Sequence, residues 1–93
     1  MPRQIFVKAG FTQAYGKLVE SEQRLVDHAL QRFERYLQTN EAPVGLGVKH
    51  LGARTYEFRA GLSLRIVYVI EEKKIFLSLL GTHDEVRRYL RRQ

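Results

Sequence analysis

The hydrophobic residues of this chain change their spacing once, near Pro43. Before it, Leu25, Val26, Ala29, Leu30, Phe33, Tyr36 and Leu37 recur at steps of three and four, the repeat of one face of an α-helix. After it, the runs Thr55 to Ala60, Leu64 to Glu71 and Lys74 to Leu80 are rich in β-branched and aromatic residues and read as strands. The chain therefore divides into a helical half and a strand half. With 93 residues in all, the two halves have to share a single core.

The remaining elements follow from local signals. Gln4 to Ala9 reads as a short strand stopped by Gly10, and Thr12 to Leu18 as a short helix. Ser21 is the expected N-cap of the long amphipathic helix, because its hydroxyl can accept from an unpaired amide of the first turn. Val44-Gly45-Leu46-Gly47-Val48 reads as a loop or irregular edge leading into Lys49-His50-Leu51. A final helix is expected from Thr82 to about Arg92, opened by a capping box in which Thr82 and Glu85 each satisfy the other's backbone amide.

The short connections between the strands imply an antiparallel meander. A two-residue Glu72-Lys73 turn sets Ile70 opposite Ile75, Tyr68 opposite Leu77 and Ile66 opposite Leu79. If Arg59 also faces Arg65 across the Gly61 turn, Tyr56 and Phe58 join that apolar face, where the helices should pack. The other face then carries Glu57, Arg59 and Arg65 beside Val67, Val69, Phe76, Ser78 and Leu80. Two directly opposed arginines repel unless an anion or a carboxylate lies between them. A phosphate is one answer and Glu57 is the other.

Composition narrows the chemistry. The chain contains no cysteine, which removes a disulfide framework, a thiolate zinc site and a cysteine nucleophile. No apolar run approaches the roughly 20 residues of a membrane-spanning helix, and the first residues show no apolar segment of a secretory signal, so a cytoplasmic protein is expected. Sixteen Lys plus Arg against ten Asp plus Glu leave a formal charge of +6 and point to an anionic partner. Residues 49–93 carry ten of those cations and five of the acids, a net of +5, so the positive field belongs to the strand half.

Within that half, Arg59, Arg65, His83 and the Lys49-His50 pair are the groups able to handle a phosphodiester. A guanidinium presents a planar donor fork to two anionic oxygens, and an imidazole exchanges protons near neutral pH. Cleavage of RNA by its own 2′-hydroxyl needs a base, cations around the phosphorane, and an acid for the leaving 5′ oxygen. It requires neither a metal nor a cofactor. The run Arg87-Arg88-Tyr89-Leu90-Arg91-Arg92 is partly accounted for by the preference of cations for a helix C-terminus. Four arginines in six residues exceed that need and suggest a rim for nucleic acid, to which Arg54 is added.

The segments Lys49-His50-Leu51-Gly52, Thr55-Tyr56-Glu57-Phe58-Arg59, Leu64-Arg65-Ile66-Val67-Tyr68-Val69-Ile70 and Leu80-Gly81-Thr82-His83-Asp84-Glu85-Val86 together resemble the RelE/ParE superfamily of bacterial type II toxins. The likeness covers nearly the whole chain, and its Gly-Thr-His end resembles the ribonuclease members. It implies an α+β fold, with an N-terminal helical hairpin packed on a small twisted, mainly antiparallel sheet and a short C-terminal helix. It also implies metal-free cleavage of mRNA at the ribosomal A site and neutralisation by a cognate acidic antitoxin. By position, Arg65 matches the family's transition-state arginine and His83 its general acid. Arg59 matches a phosphate contact, Glu57 a neighbouring strand position, and Lys49 or its rival His50 the upstream acid/base position. Arg54, Arg87, Arg88, Tyr89 and Arg91 are the expected RNA contacts, although Arg87 stands where many members have a stacking Tyr. The alternatives are a ParE-like inhibitor of DNA gyrase and a non-catalytic binding module on the same fold.

Overall fold

The computed structural model describes residues 4–43 and 45–92. Met1, Pro2 and Arg3, among the first residues read for a secretory signal, and Val44 of the glycine-spaced loop lie outside them. The elements run β1 (Gln4–Val7), α1 (Ala9–Lys17), α2 (Glu20–Thr39), β2 (Lys49–Gly52), β3 (Thr55–Ala60), β4 (Leu64–Glu71), β5 (Lys74–Thr82) and α3 (His83–Arg91). They form one five-stranded sheet in the order β1-β5-β4-β3-β2. β3 to β5 make the expected antiparallel meander, β2 adds a further antiparallel strand beside β3, and β1 lies parallel to β5 at the edge.

One face of the sheet buries against α1 and α2. Phe33 from α2 stacks on Phe58 at 4.3 Å between ring centroids and meets Tyr68 at 4.7 Å. Val26, Ala29, Ile66, Ile75 and Leu77 close the same cluster. This is the face on which the strand register had set Phe58, Ile66, Tyr68, Ile75 and Leu77. Leu46 joins it with no exposure, so the loop is pinned to the core at this residue. Its carbonyl accepts from the amide of Arg59 at 2.8 Å.

Several boundaries differ from expectation, each for a local reason. β1 ends at Val7, and Gly10 lies inside α1 instead of stopping a strand, because α1 already begins at Ala9. α2 starts two residues before Ser21 as an N-cap would allow: Val19 occupies that position, and the Glu22 carboxylate receives the Val19 amide at 3.4 Å. A carboxylate on N3 replaced the hydroxyl as the partner of the first amides. The Glu72-Lys73 turn holds, with Ile70 opposite Ile75 and Tyr68 opposite Leu77. Beyond it a bulge at Ser78 shifts the pairing, so Ile66 faces Leu80 and not Leu79. An extra residue on one strand turns everything after it to the other face. Leu80 is consequently buried in the core, a correction of its placement beside the arginines, and Leu79 takes that position.

Candidate functional site

On the face away from α1 and α2 the register builds three cross-strand rows. Arg59, Arg65 and Gly81 form the first, Lys49, Glu57, Val67 and Leu79 the second, and Thr55, Val69, Phe76 and Phe6 the third. Thr82 ends β5 beside the first row and starts α3, which carries His83 at its first position. The sheet therefore brings Arg59, Arg65, Glu57 and Lys49 together, with His83 two residues beyond the position opposite Arg65.

The opposed arginines are resolved by Glu57. Its carboxylate Oε2 lies 3.6 Å from Arg65 Nε, with side-chain exposures of 11% and 13% respectively. Arg65 Nη1 also donates to the carbonyls of Leu62 at 3.3 Å and Leu64 at 3.2 Å, which fixes the guanidinium against the β3–β4 turn. Arg59 is held differently. It is exposed, and its side chain crosses the backbone of Gly47, where a Cβ would come within 3.0 Å of the Arg59 Cδ. Gly47 has φ of +62°, so the same position demands both a left-handed backbone and the absence of a side chain.

The Thr82–Glu85 capping box forms as expected. The Thr82 amide donates to Glu85 Oε1 at 2.8 Å, and the Glu85 amide donates to Thr82 Oγ1 at 3.2 Å. The backbone amide of Thr82 does most to hold the Glu85 carboxyl below the usual range; burial opposes it, and the Thr82 hydroxyl and the nearby Arg88 charge add lesser lowering. Gly81 makes room for this turn, since a Cβ there would meet Glu85 at 3.1 Å. His83 is exposed on the helix so anchored.

The other expected contacts scatter. His50 faces the opposite side of the sheet, with its ring 4.8 Å from that of Tyr56 and Nε2 2.7 Å from the Ala53 carbonyl. The two-residue strand repeat separates it from Lys49, so it is not a member of the cluster. Arg54 sits in the β2–β3 turn, where its carbonyl accepts from Ile70. Arg87 and Arg91 are exposed on α3, while Arg88 and Tyr89 line a cleft of ≈ 350 Å³ with Leu79, Glu85 and Arg92. Arg92 is thus a cleft residue the RNA-contact set left out, although its place in the arginine run marks it. Gly47 was visible only as one of two spaced glycines. Among the described residues no group of three or more His, Asp or Glu side chains can hold a metal ion, and no helix is long and apolar enough to cross a membrane.

The sequence matches no family model and no curated protein. The fold does match solved structures. The Escherichia coli DinJ–YafQ toxin–antitoxin complex contains a chain that superposes with a TM-score of 0.72 at 13% identity, over 92% of this chain and 98% of that one. The Methanococcus jannaschii RelB–RelE antitoxin–toxin complex gives 0.67 at 13%, covering 90% and 96%. A YoeB/ParE toxin from Agrobacterium tumefaciens gives 0.65 at 15%, covering 86% and 98%. The chain has the α+β fold shared by these proteins, as the sequence resemblance implied.

Proposed function

We propose that the chain is the toxin of a type II toxin–antitoxin system and a metal-free endoribonuclease that cuts mRNA on the ribosome. The observation that carries this reading is the Lys49–Glu57–Arg65 cluster, set on one sheet face beside Arg59 and the strand end that launches His83. Arg65 and Arg59 supply the cationic field for a phosphorane. Glu57 or Lys49 takes the 2′-hydroxyl proton as that oxygen bonds to phosphorus, and His83 protonates the 5′ oxygen as its bond to phosphorus breaks. The cytoplasm is the corresponding location. An acidic antitoxin segment laid over the basic face would block the site by occupying the same cations.

The test is primer extension on ribosome-bound mRNA. His83→Ala removes an exposed side chain and leaves the fold intact, and it should slow cutting by about 100-fold or more, the size of a lost general acid. Wild-type cutting by both this variant and Arg65→Lys overturns the assignment. One observation favours a second reading. Arg65 spends its donors on Leu62, Leu64 and Glu57, which suits a scaffold residue in a protein that acts by binding, as a gyrase inhibitor would. Inhibited supercoiling with uncut mRNA selects that reading.

A further inference from the structure

The third row of the same face is built for a different task from the first. Phe6 and Phe76 lie side by side on β1 and β5, with ring centroids 5.4 Å apart and planes 22° from parallel. Two ammonium groups flank the pair: Lys8 Nζ is 5.7 Å from the Phe76 centroid and Lys74 Nζ is 5.9 Å from that of Phe6. β1 is the edge strand, so among the described residues no strand lies beyond Phe6, which is 42% exposed. An exposed phenyl ring, Phe6, beside the half-buried Phe76 and framed by cations gives a base a π-face and its phosphate a counter-charge, which is how single strands are held without reading their sequence.

The position of the pair on the sheet connects it to the cluster. β4 is unbroken from Arg65 through Val67 to Val69, and Val69 pairs with Phe76, so the rings share the face of Arg65, about 13 Å along the strand. Leu79 and the cleft shared by Arg88, Tyr89 and Arg92 lie between the two ends. The route from the arginine row to the phenylalanines therefore passes over the basic end of α3, which packs on β4 and β5 where Val67 is fully buried.

We infer that Phe6 and Phe76, with Lys8 and Lys74, form a stacking platform for unpaired bases of a single-stranded RNA whose backbone continues to Arg59 and Arg65. The choice of RNA as the occupant rests on the ribonuclease reading; the platform itself rests on the ring and ammonium geometry. An acidic peptide strand added to the open β1 edge is the competing occupant.

The chain has no tryptophan, so Phe6→Trp installs one fluorophore at the platform. The probe is a single-stranded 2′-O-methyl oligonucleotide, which cannot be cut, with its annealed duplex as the comparison. The single strand should quench the indole and the duplex should not. Phe6→Ala should weaken single-strand binding on the order of tenfold in fluorescence anisotropy, the loss of one stacked base. Lys74→Ala, which leaves both rings in place, should weaken it too. Binding of the single strand without quenching, and with wild-type affinity in Phe6→Ala, overturns the platform while leaving the cleavage reading standing. Quenching by a Glu-rich peptide and not by the oligonucleotide overturns it in favour of a protein strand. Absence of any oligonucleotide binding by the wild-type chain overturns the platform and removes support from the ribonuclease reading as well.

Discussion

Arg59 and Arg65 occupy paired positions, yet their surroundings divide their roles. Arg65 is anchored by a carboxylate and two carbonyls, whereas Arg59 rests its stem on Gly47 and keeps its head in solvent. Gly47→Ala tests that seat. A left-handed alanine costs about 1–2 kcal/mol, and its methyl would displace the Arg59 side chain. We expect an unfolding free energy lower by that amount in urea titration, together with a loss of RNA affinity beyond that of other variants of equal stability. The identity of the two arginines as a pair was legible from strand register alone. Their different anchoring was not, because it depends on a glycine twelve residues upstream and a carboxylate that reaches diagonally across β3 and β4.

Among the elements, β5 shows how far a register argument reaches. Counting outward from the Glu72-Lys73 turn gives the correct partners up to Leu77, and the Ser78 bulge then reverses the faces of Leu79 and Leu80. Nothing in Leu77-Ser78-Leu79-Leu80 distinguishes the two registers, since apolar residues occupy both faces. The consequence is measurable: Leu80→Ala should cost about 2–4 kcal/mol as a core truncation, and Leu79→Ala distinctly less, by denaturant unfolding. α3 is the opposite case, because its capping box was written in Thr82 and Glu85. Glu85 has a lowered folded-state pKa, so its contribution is present above the ordinary carboxylate range and disappears as pH falls through the depressed value. Glu85→Gln should flatten the acid side of the stability–pH profile, read from thermal midpoints. Thr82→Ala should cost about 1 kcal/mol.

For the whole molecule, the +6 charge becomes a surface with direction. The helical side carries the core, and the other face carries an arginine row at one end, a basic cleft in the middle and a lysine-framed aromatic pair at the far end. If four of these cations contact phosphates, the log–log slope of single-strand affinity against salt should be roughly −3. A slope near zero would mean that the surface does not follow a phosphate backbone. The division into a helical and a strand half, the meander and most of the arginine face were legible in the sequence through periodicity and turn length. The parallel β1 edge and its aromatic row were not, because pairing between strands that distant in the chain leaves no local signal.

In the proposed cleavage an RNA 2′-hydroxyl is the nucleophile at this face. Once the cut has been mapped on a ribosome-bound message, a single 2′-deoxy substitution at the nucleotide 5′ to the scissile bond tests it most directly. Cutting at that bond should stop, while the all-ribose message is still cut and leaves a 2′,3′-cyclic phosphate. Continued cutting at the deoxy position would contradict it.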